Sequence, residues 1–84
     1  MTARLVIEFA ANEGALLRII GLIERRGYRV RELELKEEQP HSALAILLEA
    51  RDSTRRPDVL ARQIGNLFDV RSVDLFTPDT TVPA

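Results

Sequence analysis

Asn12-Glu13-Gly14-Ala15-Leu16 is the stretch whose residue types and spacing best suit chemistry. It joins a β-rich run to an amphipathic run through one glycine. A strand that enters a helix this way leaves the first helical N–H groups without backbone acceptors. Those groups, and the positive end of the helix dipole, aim at one point, so the chemistry expected there is anion binding. The backbone amides of Gly14, Ala15 and Leu16 are the expected donors, and Arg29 and Arg31 are cations able to meet a carboxylate or an acidic partner. A plainer account stands beside this one: Asn12 caps the helix, Gly14 turns the chain, and the arginines are solvated.

Other chemistries find no residues. The 84-residue chain has no cysteine, hence no disulfide, thiolate metal site or cysteine nucleophile. Its single histidine, His41, follows Pro40 in a turn, with no paired acid or serine nearby to make it a general base. Twelve basic and 13 acidic residues are interspersed and give a net charge of −1, which argues against a nucleic-acid or membrane-surface binder. Eleven of the basic residues are arginine and only Lys36 is lysine, which reads first as a compositional bias. No apolar run approaches a membrane span, Met1-Thr2-Ala3-Arg4 leads straight into a strand, and the expected location is cytoplasmic. No cofactor is expected.

The elements that must position the loop follow from periodicity. Arg4–Ala10 alternates as a strand, with Leu5, Ile7 and Phe9 on one face. A helix is expected from about Glu13 to Arg26, with Leu16, Ile19, Ile20 and Ile23 as its stripe, Asn12 as N-cap and Gly27 as a left-handed stop. Gly21 inside it suggests close packing against the sheet. Tyr28–Glu38 is a second strand whose apolar parity slips near Arg31-Glu32, the mark of a bulge. After a turn at Gln39-Pro40-His41, Ser42–Arg51 returns as a strand apolar on both parities, which fits a central position.

Asp52–Arg56 is a polar loop, and Pro57 opens a second helix to about Phe68, striped by Leu60, Ile64, Leu67 and Phe68. Val70–Phe76 is the last strand, and Thr77–Ala84 reads as a flexible tail after a domain spanning residues 1–76. Strand, helix, strand, strand, helix, strand is the ferredoxin-like βαββαβ order, an α+β fold with a four-stranded antiparallel sheet and two helices on one face. Val6, Ala43, Ala45 and Leu47 fall on the other face, for which the simplest account is cover by a second copy or a pairing of edge strands into a larger sheet.

The run Asn12-Glu13-Gly14-Ala15-Leu16, Arg18-Ile19-Ile20-Gly21-Leu22, Arg26-Gly27-Tyr28, with Leu67-Phe68-Asp69-Val70-Arg71-Ser72-Val73 near the end, resembles an ACT domain. More narrowly it is similar to the small regulatory subunit of acetolactate synthase (acetohydroxyacid synthase), and most like the short, single-domain subunit of the type II isozyme. The resemblance spans Leu5 to Leu75. It implies a non-catalytic partner that pairs with itself and activates a thiamine-diphosphate-dependent large catalytic subunit in branched-chain amino acid biosynthesis. It also implies an effector site for a branched-chain amino acid at Asn12, Glu13, Gly14, Ala15 and Leu16 with Tyr28, Arg29 and Val30.

Two positions depart from the family pattern. Ala11 stands where the family's first ligand-binding Asn would be, and Arg29 replaces a second Asn. Weak or absent valine feedback is therefore expected. The alternative is a free-standing amino-acid-binding module acting on another protein. Two other functions on this fold are excluded: the Ala11–Gly14 turn lacks the arginine of an acylphosphatase-like loop, and Ala43–Leu48 lacks the aromatics that stack RNA bases.

Overall fold

Alternating burial orients the two central strands of the sheet. In the computed structural model, which describes residues 2–52 and 54–76, Leu5, Ile7 and Phe9 of β1 (Thr2–Phe9) are at most 1% exposed. β2 (Tyr28–Lys36), β3 (Ser42–Ala50) and β4 (Val70–Phe76) complete an antiparallel sheet in the order β2-β3-β1-β4. With α1 (Ala15–Arg25) and α2 (Pro57–Gly65) the chain has the expected ferredoxin-like βαββαβ fold.

On β3, Leu44, Ile46 and Leu48 are fully buried on the helix side, while Ala43, Ala45 and Leu47 alternate to the opposite face and are half-buried. Register carries the two faces across the sheet, since Leu5 pairs with Ile46 and Leu75, and Val6 with Ala45 and Asp74. The core is the apolar layer between Leu5, Ile7, Phe9, Leu44, Ile46 and Leu48 below and Ile19, Ile23, Leu60 and Ile64 above. Each such fully buried side chain contributes about 1.5–3 kcal/mol relative to exposure.

The parity slip in β2 is real. Val30 pairs with Leu48 and Glu32 with Leu47, so Arg31 is the extra, bulged residue. The bulge returns Leu33 and Leu35 to the same face as Val30, opposite Ile46 and Leu44. β2 and β4 are the sheet edges, and Leu33 and Leu35 on the β2 edge are 41% and 39% exposed.

Four local expectations are corrected. α1 begins at Ala15 rather than Glu13, and its N-cap is Gly14 at φ 80°, not Asn12. A left-handed residue at position 14 turns the chain immediately before the helix, which leaves Asn12 outside capping reach. α2 ends at Gly65 with Asn66 as C-cap, so Phe68 has left the helical stripe and is 97% exposed. Gly21 does not pack closely, because a Cβ built there would meet nothing within 4 Å. The buried face of α1 is Ala15, Ile19, Leu22 and Ile23. Gly27 does stop α1 as expected, at φ 89°. The expected flexible tail, Thr77–Ala84, lies outside the described residues.

Gly21→Ala is expected to stabilise the chain by about 0.5–1 kcal/mol, because alanine loses less backbone freedom and no neighbour resists its methyl group. Urea unfolding of the two proteins measures this. A loss in place of the gain would mean that another molecule occupies that side of α1.

Candidate functional site

The first five candidate residues lie together at one end of the sheet. β1 ends at Phe9, opposite Ser42, and the chain crosses Ala10–Gly14 to reach α1. The Ala15 N–H is given to the Asn12 carbonyl at 3.0 Å and the Asn12 N–H to the Ala10 carbonyl at 2.7 Å. Ala15 is therefore not a free donor, contrary to the sequence expectation. The N–H groups of Gly14, Leu16 and Leu17 have no backbone acceptor among the described residues, so an anion at the head of α1 would meet these. Ala15 is buried, Gly14 and Leu16 are half-buried, and Asn12 and Glu13 are exposed.

Asp69 holds this loop, and the sequence reading gave it no role beyond membership of the Leu67–Val73 run. Its carboxylate accepts from Asn12 Nδ2 at 2.7 Å and forms an ion pair with Arg18. Its backbone carbonyl accepts the Ala10 N–H at 2.8 Å. Asp69 is 8% exposed and sits between α2 and β4, so it pins the β1–α1 loop to a segment more than fifty residues away. The amide of Asn12, followed by the guanidinium of Arg18, holds the Asp69 carboxyl below its ordinary value. An acid flanked at a distance in sequence by an amide and an arginine was the only available signal.

A depressed carboxyl fixes the sign of the pH effect. The tie is complete above the ordinary carboxylate pKa near 3.9 and is lost as pH falls through the lowered folded value. The Asn12 side-chain amide signals in an NMR acid titration should move with that single step. Asp69→Asn should abolish the step and free Arg18.

Tyr28, Arg29 and Val30 lie at the other end. Tyr28 pairs with Ala50, whereas Phe9 pairs with Ser42, and β3 spans the nine residues between. At about 3.3 Å per residue the two groups are roughly 26 Å apart, so one copy of the chain does not bring all eight candidates together. Arg29 is exposed and Val30 half-buried on the edge strand. Arg31, beside them, is 3.2 Å from Glu49 in an exposed ion pair.

Tyr28 points inward and is 2% exposed. Burial raises its hydroxyl pKa, against an opposing pull from Arg55, so the phenol remains a protonated donor at neutral pH. Among the described residues no group of three or more His, Cys, Asp or Glu is placed to hold a metal, and no helix is long and apolar enough to cross a membrane.

Comparison with known proteins matches the family description "ACT domain" to residues 11–73, which runs from the β1–α1 loop into β4. The chain belongs to the ACT domain family. ACT domains are regulatory, non-catalytic modules. The crystal structure of the ACT domain from GTP pyrophosphokinase of Chlorobium tepidum superposes at a TM-score of 0.74 and 14% identity, covering 90% of this chain and 97% of that one.

A formyltetrahydrofolate deformylase from Burkholderia mallei superposes at 0.71 and 20% identity over 92% of this chain, which spans 28% of that longer protein. The C-terminal domain of MgtC from Mycobacterium tuberculosis superposes at 0.67 and 11% identity, covering 89% and 84% of the two chains. These likenesses place the ACT fold and carry no ligand to this chain. The search of curated protein sequences gave no match.

Proposed function

We propose that this ACT domain is the regulatory subunit of an acetolactate synthase, working as a pair of copies, with weak or absent valine feedback at the site between them. The observation that carries the pairing is the split of the candidate residues between opposite ends of one sheet, with the exposed edge strand β2 alongside. A two-fold axis through β2 would set the two β2 strands antiparallel and continue the sheet to eight strands. The head of α1 in one copy would then approach the start of β2 in the other. Gly14, Leu16 and Leu17 amides and Asn12 would lie on one side, with Tyr28, Arg29 and Val30 of the second copy on the other. The long run from Asn12 to Tyr28 supports the acetolactate synthase reading.

An amino-acid ligand brings a carboxylate and an ammonium group. The carboxylate suits the amides at the head of α1 and Arg29. The ammonium needs an acceptor, and Arg29 repels it at short range. Leaving that charge poorly paired costs on the order of a few kcal/mol, which weakens binding by roughly two orders of magnitude. The purified chain, added at saturation to the large catalytic subunit, is expected to raise acetolactate formation, with sub-millimolar valine inhibiting weakly or not at all. Ala11→Asn with Arg29→Asn should increase valine sensitivity. Equal turnover with and without the chain would remove this reading.

A free-standing ACT module acting on another protein is the second reading. The fold alone is equally consistent with it, since the same fold occurs in proteins as unlike as a GTP pyrophosphokinase and a formyltetrahydrofolate deformylase. The same turnover assay separates the two.

A further inference from the structure

Register lays out the sheet face that is turned away from the helices. Val6 and Ala45 pair at its centre, with Glu34 beside Ala45 on β2 and Asp74 beside Val6 on β4. The next row toward the head of α1 holds Lys36, Ala43 and Glu8. The row on the other side of the centre holds Glu32, Leu47 and Arg4. The apolar residues of these rows are half-buried and the charged ones are exposed. Among the described residues Arg4, Glu32, Glu34, Lys36 and Asp74 are in no ion pair.

Strands of two sheets packed face to face stay within about 30° of one another, so a two-fold axis between two such faces runs across the strands or along them. Run across the strands over the central row, it exchanges the two outer rows. Ala43 of one copy then meets Leu47 of the other, Glu8 meets Arg4, and Lys36 meets Glu32, each twice. Val6 and Ala45 meet their own counterparts, and such small side chains let the sheets approach. Run along the strands, the axis would lay Ala43 on Glu8, Leu47 on Arg4 and Glu34 on Asp74. That sets charge on methyl groups and acid on acid. The pattern of this face is self-complementary in the first arrangement only.

Area decides how many copies take part. Strands about 4.8 Å apart, at about 3.3 Å per residue, give the four-stranded face roughly 450 Å² over the seven residues of β4. One such contact buries roughly 900 Å² in total, short of the roughly 1,200 Å² at which stable specific interfaces begin. Two copies joined through β2 offer an eight-stranded face, and stacking two of these buries roughly 1,800 Å².

We propose that two of the paired molecules stack back to back through this face, making a closed assembly of four copies. The inference rests on the paired-copy reading and supplies the occupant of the opposite face. Beyond its bulge β2 runs regularly from Glu32 to Lys36, so the middle of the edge open to a second β2 is Glu34. The axis of that seam and the axis between the faces meet at right angles at the level of Glu34, and the assembly closes instead of running on as a fibre. α1 and α2 lie outside, so the head of every α1 stays open. Four Glu34 carboxylates converge at the crossing, and their repulsion limits the four-copy state.

Sedimentation equilibrium of the purified chain tests this. Pairs are expected at micromolar concentration and, as concentration rises toward millimolar, particles of four times the 9.5 kDa chain mass. Ala45→Glu sets two acids at the centre of the face and should stop assembly at pairs, with circular dichroism confirming the fold. Arg4→Glu, at an exposed position, turns two attractions to Glu8 into repulsions and should weaken the four at least about tenfold. Glu34→Gln, also exposed, should tighten it about tenfold. Leu33→Lys with Leu35→Lys should give single copies, because one face alone is too small. Wild-type pairs at every concentration would overturn the stacking and leave the pairing in place; single copies alone would overturn both. A four that survives Ala45→Glu and Arg4→Glu, or that Glu34→Gln leaves unchanged or weakens, would overturn the assignment of this face. Pairs that survive the two lysines but not Ala45→Glu would overturn the β2 seam, and the closed four with it.

Discussion

Ile46→Ala is expected to lower stability by about 3 kcal/mol, and with it the thermal midpoint by roughly 12 to 24 °C. Ile46 is fully buried at the centre of the sheet, opposite Leu5 on one side and Leu33 on the other, beneath the two helices. Its truncation deletes apolar contacts and leaves a cavity that a clamped central strand closes poorly. A chain of 84 residues has on the order of 4–13 kcal/mol in total, so the loss takes a large share. Leu47→Ala, one residue along on the half-buried opposite face, should cost less than half as much. Thermal unfolding followed by circular dichroism compares them, and equal losses would mean that the two sheet faces are equally well packed.

Leu33→Lys with Leu35→Lys should convert the proposed pair into single copies at micromolar concentration. Both side chains sit on edge strand β2 and are more than a third exposed, so the substitutions leave the core intact. In a two-fold contact every substitution is present twice, which brings four new cations to one seam. Repulsion of that kind costs several kcal/mol, or a hundredfold or more in association. Sedimentation velocity reads the change directly, and activation of the catalytic subunit should fall with it. A variant that remains paired would move the contact away from β2, to the face carrying Val6, Ala45 and Leu47.

Periodicity made the sheet legible. Each strand is long enough to show its parity, and even the bulge at Arg31 appears as a slip between Val30 and Leu33. Ends were harder. Phe68 fits the α2 stripe by spacing alone, but the helix had already ended at Gly65. Asn12 looks like a cap because capping is judged from neighbours, and the group that claims its side chain is Asp69, 57 residues away. Local patterns report what a segment prefers; this tie is made by distant segments meeting.

The Asp69 tie also bears on the order in which the protein takes shape as it is made. Its contacts with Asn12 and Arg18 span 57 and 51 residues, and loops of that length close late because their entropy is lost before any contact rewards it. α1 is able to form while most of the chain is still being synthesised, but the loop at its head is held only after residue 69 has left the ribosome and β4 has added to the edge of the sheet. The loop at the head of α1 is thus finished last, and any partner that recognises this loop also recognises that the chain has folded through β4.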